Sequence, residues 1–461
     1  MIIMNRADNV KIAYIGGGSR GWAWCFMSDL SRAVDKISGS VNLYDIDYEA
    51  ALDNEKIGAL LPEMKNGNGN FKYKACKTLE EALDGADFVV ISILLATFDE
   101  MESDVHAPEK YGIYQSVGDT AGPAGVLRTL RSVPMFEVIA HAVEKCCPDA
   151  WVINYTNPMT LCVKALYDAF PNIKAYGCCH EVFDSQRQLA ELYVRECGGQ
   201  ADRHDVDVNI VGVNHFTWLT SAVCHGVDMF PLYEKMVAEN PDGYKPLNEQ
   251  NWINKEFKTN YKVKFDLFRR YGYMACAGDR HLAEFCPGDW YLKDPETVDE
   301  YGFGLTSVKW RKQERDQRYA TSRRILNREE DIWFGDRGEE GVNQIMSLLG
   351  LGDFVTNVNL PNRGQIPNAP IGAVVETNAA FSRDSVVPVE SGNIPENLCP
   401  LVMPVIYSQQ ALSKAARERD LEAAFNVFAN DRLVRLNLHD ARKLFDEMVD
   451  NTKEYLTEYI K

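Results

Sequence analysis

The stretch KIAYIGGGSRG, residues 11–21, decides how this chain is read. Residues 11–15 form a short apolar run of strand type that breaks at Gly16-Gly17-Gly18. Trp22, Ala23, Phe26, Met27 and Leu30 then recur at helical spacing. Gly16, Gly18 and Gly21 satisfy G-x-G-x-x-G in the strand–turn–helix setting that a dinucleotide site requires. The glycines serve the tight turn, the close approach of backbone to pyrophosphate and the packing of helix on strand. The helix start offers N–H groups and partial positive charge to phosphate. A second strand, 41–44, ends at Asp45, where an acid is expected to meet the ribose hydroxyls of NAD. Asp45 and Asp47 have no arginine or lysine beside them, which argues against a 2′-phosphate and for NAD over NADP. The cofactor set is therefore Gly16, Gly18, Ser19, Gly21 and Asp45. The plainer alternative is a glycine-rich strand–helix turn with no ligand.

At 461 residues the chain is longer than a usual single domain, so two domains are expected. The net charge of −18 speaks against nucleic acid or an anionic membrane as partner, while a small acid can still enter a locally basic pocket. No apolar run reaches the roughly 18 residues of a spanning helix. The N-terminal MIIMNRADNV lacks the layout of a signal peptide. The twelve cysteines show no small-domain disulfide framework, and several (Cys25, Cys162, Cys224) lie within apolar runs. Reduced, buried thiols and a cytoplasmic location are expected.

Residues 11–180 alternate strands with helices, the pattern of a doubly wound parallel α/β sheet of Rossmann type. Further strands are predicted at 86–93, 151–155 and 173–178, with the polar loop 66–70 followed by a short basic segment. A long helix is predicted over 124–147, kinked or restarted at Pro134, and another over 159–170. From about residue 206 the pattern changes to a strand pair, 206–213 and 216–224, around Asn214-His215. Amphipathic helices follow at 252–270 and from about 401 onward. The expected organisation is an NAD-binding domain over 1–200 and an α+β substrate, metal and oligomerisation domain over 201–461. That arrangement is lactate/malate-dehydrogenase-like. With no linker between them, the cleft at the junction is the default ligand site.

Ligands of open α/β sheets bind at the carboxyl ends of strands, and three polar clusters fall there. They are Asn157, Cys178-Cys179-His180-Glu181 and Asn214-His215. A cysteine and a histidine from different domains can hold a divalent metal, and each residue alone can equally be a satisfied strand-end group. Adjacent side chains on a strand face oppositely, so only one of Cys178 and Cys179 can point into such a site.

Several runs together resemble one family. They are Gly118-Asp119-Thr120-Ala121-Gly122-Pro123-Ala124-Gly125 with Leu130-Arg131, Asn154-Tyr155-Thr156-Asn157-Pro158-Met159-Thr160, Cys179-His180-Glu181-Val182 and Gly212-Val213-Asn214-His215. The later runs Asn362-Arg363-Gly364-Gln365-Ile366-Pro367-Asn368 and Gly372-Ala373-Val374-Val375-Glu376 belong with them. The set resembles glycoside hydrolase family 4, the NAD- and Mn²⁺-dependent glycosidases, from about residue 11 to about 440. Cys-His-Glu-Val at 179–182 is similar to its α-galacturonidase branch. Ala124 departs from the usual Gly-Pro-Gly-Gly of the family.

The resemblance implies a redox-assisted elimination instead of the usual paired carboxylates. The NAD-dependent family is an exception to the paired-carboxylate rule of glycosidases. Oxidation at C3 acidifies C2, a base removes the C2 proton, the aglycone is eliminated, water adds at C1, and the hydride returns. The resemblance implies Cys179 and His215 as Mn²⁺ ligands, and Asn157 and His180 as contacts to sugar hydroxyls. The resemblance makes Asp279 the aligned candidate for the C2 base, with Tyr271 and Tyr273 as rivals, and Asp119 the candidate acid for the leaving oxygen, or else a loop-capping aspartate. A uronate brings a carboxylate that needs a cation, and Arg280 is the nearest fit, with Arg20 and Arg131 as alternatives. Glu181 is expected to turn away or to hold an arginine. The substrate implied is a small uronate glycoside or short oligogalacturonide, and the assembly a homodimer or homotetramer. α-Glucuronidase and α-galactosidase activities stay open within the family. Outside it stand a net NAD-dependent 2-hydroxy acid dehydrogenase and a non-catalytic NAD sensor.

Overall fold

The structure is a computed structural model that describes residues 6–244, 259–335 and 339–460. β1 (Ala7–Ile15), β2 (Ile37–Tyr44), β3 (Phe71–Cys76), β4 (Phe88–Ile91), β5 (Trp151–Asn154) and β6 (Lys174–Gly177) run parallel in the order β3-β2-β1-β4-β5-β6. This is the strand order of a doubly wound, Rossmann-type sheet, and it reverses between β1 and β4, where such sheets bind ligands. The predicted basic segment after residue 70 is β3 itself. Phe71, Ala75 and Cys76 face inward while Lys72 and Lys74 are exposed on this edge strand. Lysines blunt an edge against pairing with another chain, and the same lysines disguise the strand in the sequence.

Past β6 the chain forms a second, antiparallel sheet from β7 (Val206–Val213), β8 (Phe216–Cys224), the short β9 (Val227–Asp228) and β10 (Met274–Ala275). It then returns to the first sheet. β11 (Phe354–Pro361), β12 (Val374–Ser382) and β13 (Ser385–Pro388) extend it antiparallel beyond β6, making nine strands in all. The sequence reading has no strands there. One core cluster joins Ala13, Val126 and Leu166 of the first half to Trp218, Phe285 and Phe428 of the second, so packing is continuous across residue 200. The predicted helix at 252–270 is seen as Lys262–Tyr271; its residues 252–258 lie outside the described ones. The C-terminal region resolves into the helices Cys399–Glu418, Leu421–Ala429 and Leu438–Asn451. Among the described residues no helix is long and apolar enough to cross a membrane.

The helix Gly122–Cys146 passes through Pro134 without ending. Every residue from Gly122 to Val133 is buried, including Arg128 and Arg131. A buried arginine needs a counter-charge, and Arg131 finds it in Asp104 on the helix Phe98–His106, with both side chains 1% exposed. Removing one partner leaves the other charge stranded. Asp104→Asn is expected to cost about 3–5 kcal/mol of unfolding free energy, read from urea melts of the purified protein. A loss under about 1 kcal/mol would mean that Arg131 finds another acceptor.

Candidate active site

The glycine loop has the shape its sequence implies. Gly16 sits at φ +94°, and a Cβ there would lie 1.9 Å from the Ser92 carbonyl oxygen. The Gly18 N–H donates to Asp45 Oδ2 at 2.9 Å, which ties the end of β2 to the loop. Helix Trp22–Arg32 has no acid in its first turn and no side-chain cap from Gly21, while Ser19 Oγ accepts from Trp22 N–H at 3.1 Å. An uncapped helix start without a carboxylate suits a phosphate. The half-exposed Trp22 ring packs against Tyr155 and His180, with centroids 6.0 and 6.2 Å apart. All of these residues lie at the carboxyl ends of β1, β2, β5 and β6. They fit a dinucleotide.

Next to this loop three segments meet in a cluster in which His215 is buried and Glu181 and His281 are partly so. Val213 pairs with Phe216, so Asn214-His215 forms the two-residue turn of the β7–β8 hairpin, with His215 at φ +64°. One ligating atom each of Glu181, His215 and His281 lies within 4.8 Å of the others. The two imidazole centroids are 4.1 Å apart, and Glu181 Oε1 is 3.5 Å from His281 Nδ1. Burial, with the repulsion of the neighbouring imidazole, brings His215 down to about 4. Burial brings His281 to about 4 as well. Both rings are therefore neutral at physiological pH, the state in which imidazole binds metals. Thr120 Oγ1 donates to Asp119 Oδ1 at 2.6 Å and lies 3.4 Å from His215 Nδ1, which assigns the ring proton to Nδ1 and leaves Nε2 as acceptor. Burial opposes ionisation of Asp119, but His215, Arg128 and His281 outweigh it and hold the carboxyl below its usual range.

Cys179 stands at the head of the same segment as Glu181. Its carbonyl accepts from Asn357 Nδ2 of β11 at 2.9 Å, and Asn357 also donates to the buried Glu376 of β12 at 2.6 Å. Burial, reinforced by Glu376 and Glu181, pushes the Cys179 thiol well up, so it stays protonated until a cation displaces the proton. Cys178 packs into a different cluster, where its sulfur accepts from Gln344, so the two cysteines do face apart. The two imidazoles and the carboxylate form a donor set that suits a first-row divalent ion, and the Cys179 thiol, expected as a ligand, is not part of that group. Glu181 neither turns away nor meets an arginine among the described residues: it accepts from Gly278 N–H at 3.0 Å and faces His281.

His180 lies on the cofactor side, with Nδ1 3.0 Å from Glu339 Oε1. Burial would lower its pKa, but Glu339 overrides burial and lifts it to about 9. The Asn157–Pro158 peptide is cis, and Asn157 Oδ1 accepts from Met159 N–H at 3.2 Å. Asp279 stands apart from the cluster. Its Oδ1 accepts from Lys264 N–H at 3.0 Å at the start of helix Lys262–Tyr271, its Oδ2 has no partner, and burial lifts the acid to about 6. Tyr271 packs edge-on against Trp218, 6.0 Å between centroids.

The arginines divide sharply. Arg280 Nε donates to Gly304 O at 3.2 Å and its Nη2 to Ser116 O and Thr306 Oγ1, clamping the loop that carries Asp119. Arg20 lies 4.0 Å over the Tyr319 ring and 3.6 Å from Asp53. Arg131 is held by Asp104. Arg128, passed over in the sequence, reaches the site and donates to the Asn157 carbonyl at 3.2 Å. An arginine inside the apolar run Val126, Leu127, Leu130 and Val133 was the available signal. His281 and Glu284 were likewise passed over. The only hint of them was their place in one short helix, Asp279–Phe285.

Profiles of known families match the chain in two blocks. One, described as family 4 glycosyl hydrolase, covers residues 11–194, and another, its C-terminal domain, covers 210–434. An α-galacturonidase of Thermoanaerobacterium saccharolyticum is 56% identical over 98% of this chain and 97% of its own length. The crystal structure of the Bacillus subtilis protein lplD superposes with a TM-score of 0.90 at 48% identity, covering 96% of this chain and all of that one. A 6-phospho-alpha-glucosidase from gut microorganisms, solved with NAD and Mn²⁺, shares the fold with a TM-score of 0.80 at 20% identity over 97% of this chain and 99% of its own.

Glu284 supports the Asp119 loop by accepting from Val117 N–H at 2.8 Å and Gly118 N–H at 3.0 Å, and burial lifts its acid to about 8. A raised acid contributes stability at low pH that fades as pH climbs from its unfolded range, near 4.5, through about 8. Glu284→Gln keeps the acceptor and removes the charge. Its melting temperature relative to the parent is expected to rise between pH 5 and pH 9, measured by thermal scans across that range. A difference independent of pH would place the carboxyl in the ionised form throughout.

Proposed function

Since the chain belongs to the family 4 glycosyl hydrolases, we propose that it is an NAD- and Mn²⁺-dependent α-galacturonidase acting on small α-galacturonides, such as short oligogalacturonides. The observation that carries the substrate is the likeness, over nearly its whole length, to the Thermoanaerobacterium α-galacturonidase. When bound, the dinucleotide supplies a hydride acceptor for C3 and the metal a Lewis acid for the C2 and C3 oxygens. Gly16, Gly18, Ser19, Gly21 and Asp45 hold the dinucleotide. His215, Glu181 and His281, whose ligating atoms group together, would hold the metal, with Cys179 as the further ligand that the family resemblance implies. Asn157 lies at the sugar.

Proton transfer falls to groups whose charge states differ. Asp119 is held ionised, so it takes a proton before it gives one, and through Thr120 it fixes the His215 tautomer. His180, kept protonated by Glu339, is better suited to donate to the leaving oxygen. Asp279 remains the base assigned to C2. Its unpartnered Oδ2 and raised acid support that role. All twelve cysteines are free, which supports a reducing, cytoplasmic setting. A homodimer or homotetramer is the assembly we expect.

Two experiments test this reading. p-Nitrophenyl α-galacturonide is expected to be cleaved only with NAD⁺, Mn²⁺ and a thiol reductant, with no net NADH; steady NADH accumulation would instead mark a dehydrogenase. Asp279→Asn keeps the Oδ1 acceptor at the helix start, so its melting temperature should hold while kcat falls by about 10²–10⁴. A kcat within threefold of the parent would leave Asp279 a helix cap only.

A further inference from the structure

We propose that Arg128 is the residue that binds the substrate's carboxylate and so sets the preference for uronates, an inference that rests on the galacturonidase reading. Arg128 is 7% exposed, yet among the described residues no carboxylate stands at ion-pair distance from it. Its nearest acids, Asp119 and Asp104, act on it only at longer range, and Asp104 is already paired with Arg131. A buried guanidinium without a counter-ion is costly in any fold, and the cost is recovered when a ligand brings the missing anion. The side chain has hydrogen-bonding capacity to spare. One Nη2 bond goes to the Asn157 carbonyl, and Nε is buried with no partner.

Position supports the same conclusion. The guanidinium lies between the Asn157 backbone, at the end of the β5 segment, and Asp119, which belongs to the imidazole cluster. The other arginines considered for this task are committed. Arg280 clamps the 116–118 loop and the 304–306 segment, Arg20 stacks on Tyr319, and Arg131 neutralises Asp104. Arg311, a half-buried arginine near Asp119, has Glu314 of its own helix beside it. A planar fork with open donors and no anion of its own matches a carboxylate, which it can grip through two parallel bonds.

The test uses the full chain loaded with NAD⁺ and Mn²⁺, and compares binding of D-galacturonate with binding of D-galactose by calorimetry. Arg128→Gln is expected to weaken galacturonate by about 10- to 100-fold while galactose changes less than about threefold. Arg128→Lys, which keeps the charge and loses the fork, should fall between, and it stands in if the Gln variant does not fold. NAD⁺ affinity of both variants, read by fluorescence quenching, should match the parent. A parent that prefers galacturonate and an Arg128→Gln variant that keeps the preference overturn this assignment alone. A parent with no preference for the uronate overturns both this assignment and the reading it rests on. Equal loss of both sugars in both variants makes Arg128 structural and also overturns it.

Discussion

Removal of water from the point where Glu181, His215 and His281 converge is the constraint on which the site depends. Two imidazoles with centroids 4.1 Å apart would repel each other if charged, and burial keeps both neutral. Neutrality leaves a lone pair on each ring, and Thr120, tethered to Asp119, decides which nitrogen of His215 carries it. Each of these groups arrives on a different segment: the loop before helix Gly122–Cys146, the end of β6, the β7–β8 turn and the start of helix Asp279–Phe285. The cluster thus draws on segments that belong to both sheets.

The sheet supplies the rigidity this requires. Parallel strands end together at one edge, so residues far apart in the chain reach one crevice without long loops. β11 and β12 add a second contribution from the far end of the chain, because Asn357 and Glu376 brace the backbone at Cys179 from behind. Glu284 and Arg280 brace the Asp119 loop in the same way, one by accepting backbone N–H groups and the other by donating to backbone carbonyls. Side chains spent on backbone are unavailable to ligand. That separates Arg280 from Arg128, although both are buried close to the same carboxylate.

Much of the first half was legible because its signals are local. A strand that runs into Gly16 and a helix that leaves Gly21 need only neighbouring residues to be recognised, and so does an acid at the end of the next strand. The hairpin around Asn214-His215 was legible for the same reason, since both strands flank a two-residue turn. β3 was hidden by its outward lysines, and β11–β13 by their dependence on a partner. Residues 354–361 have nothing to pair with until β6 and β12 lie on either side of them.

Sequence alone determined the dinucleotide loop, the doubly wound order of alternating elements and the hairpin that carries His215 at its turn. Those rest on periodicity and motif, which the chain carries without folding. Tertiary structure decided which charges are spent and which are open: that Glu181 faces His281, that Arg280 is a clamp, and that Arg128 is buried with no carboxylate at ion-pair distance among the described residues. The physical reason is that desolvation and ion pairing depend on what surrounds a side chain on every side. Those surroundings come from other segments of the chain, 29 positions away for Arg128 and Asn157 and 164 for Arg280 and Ser116.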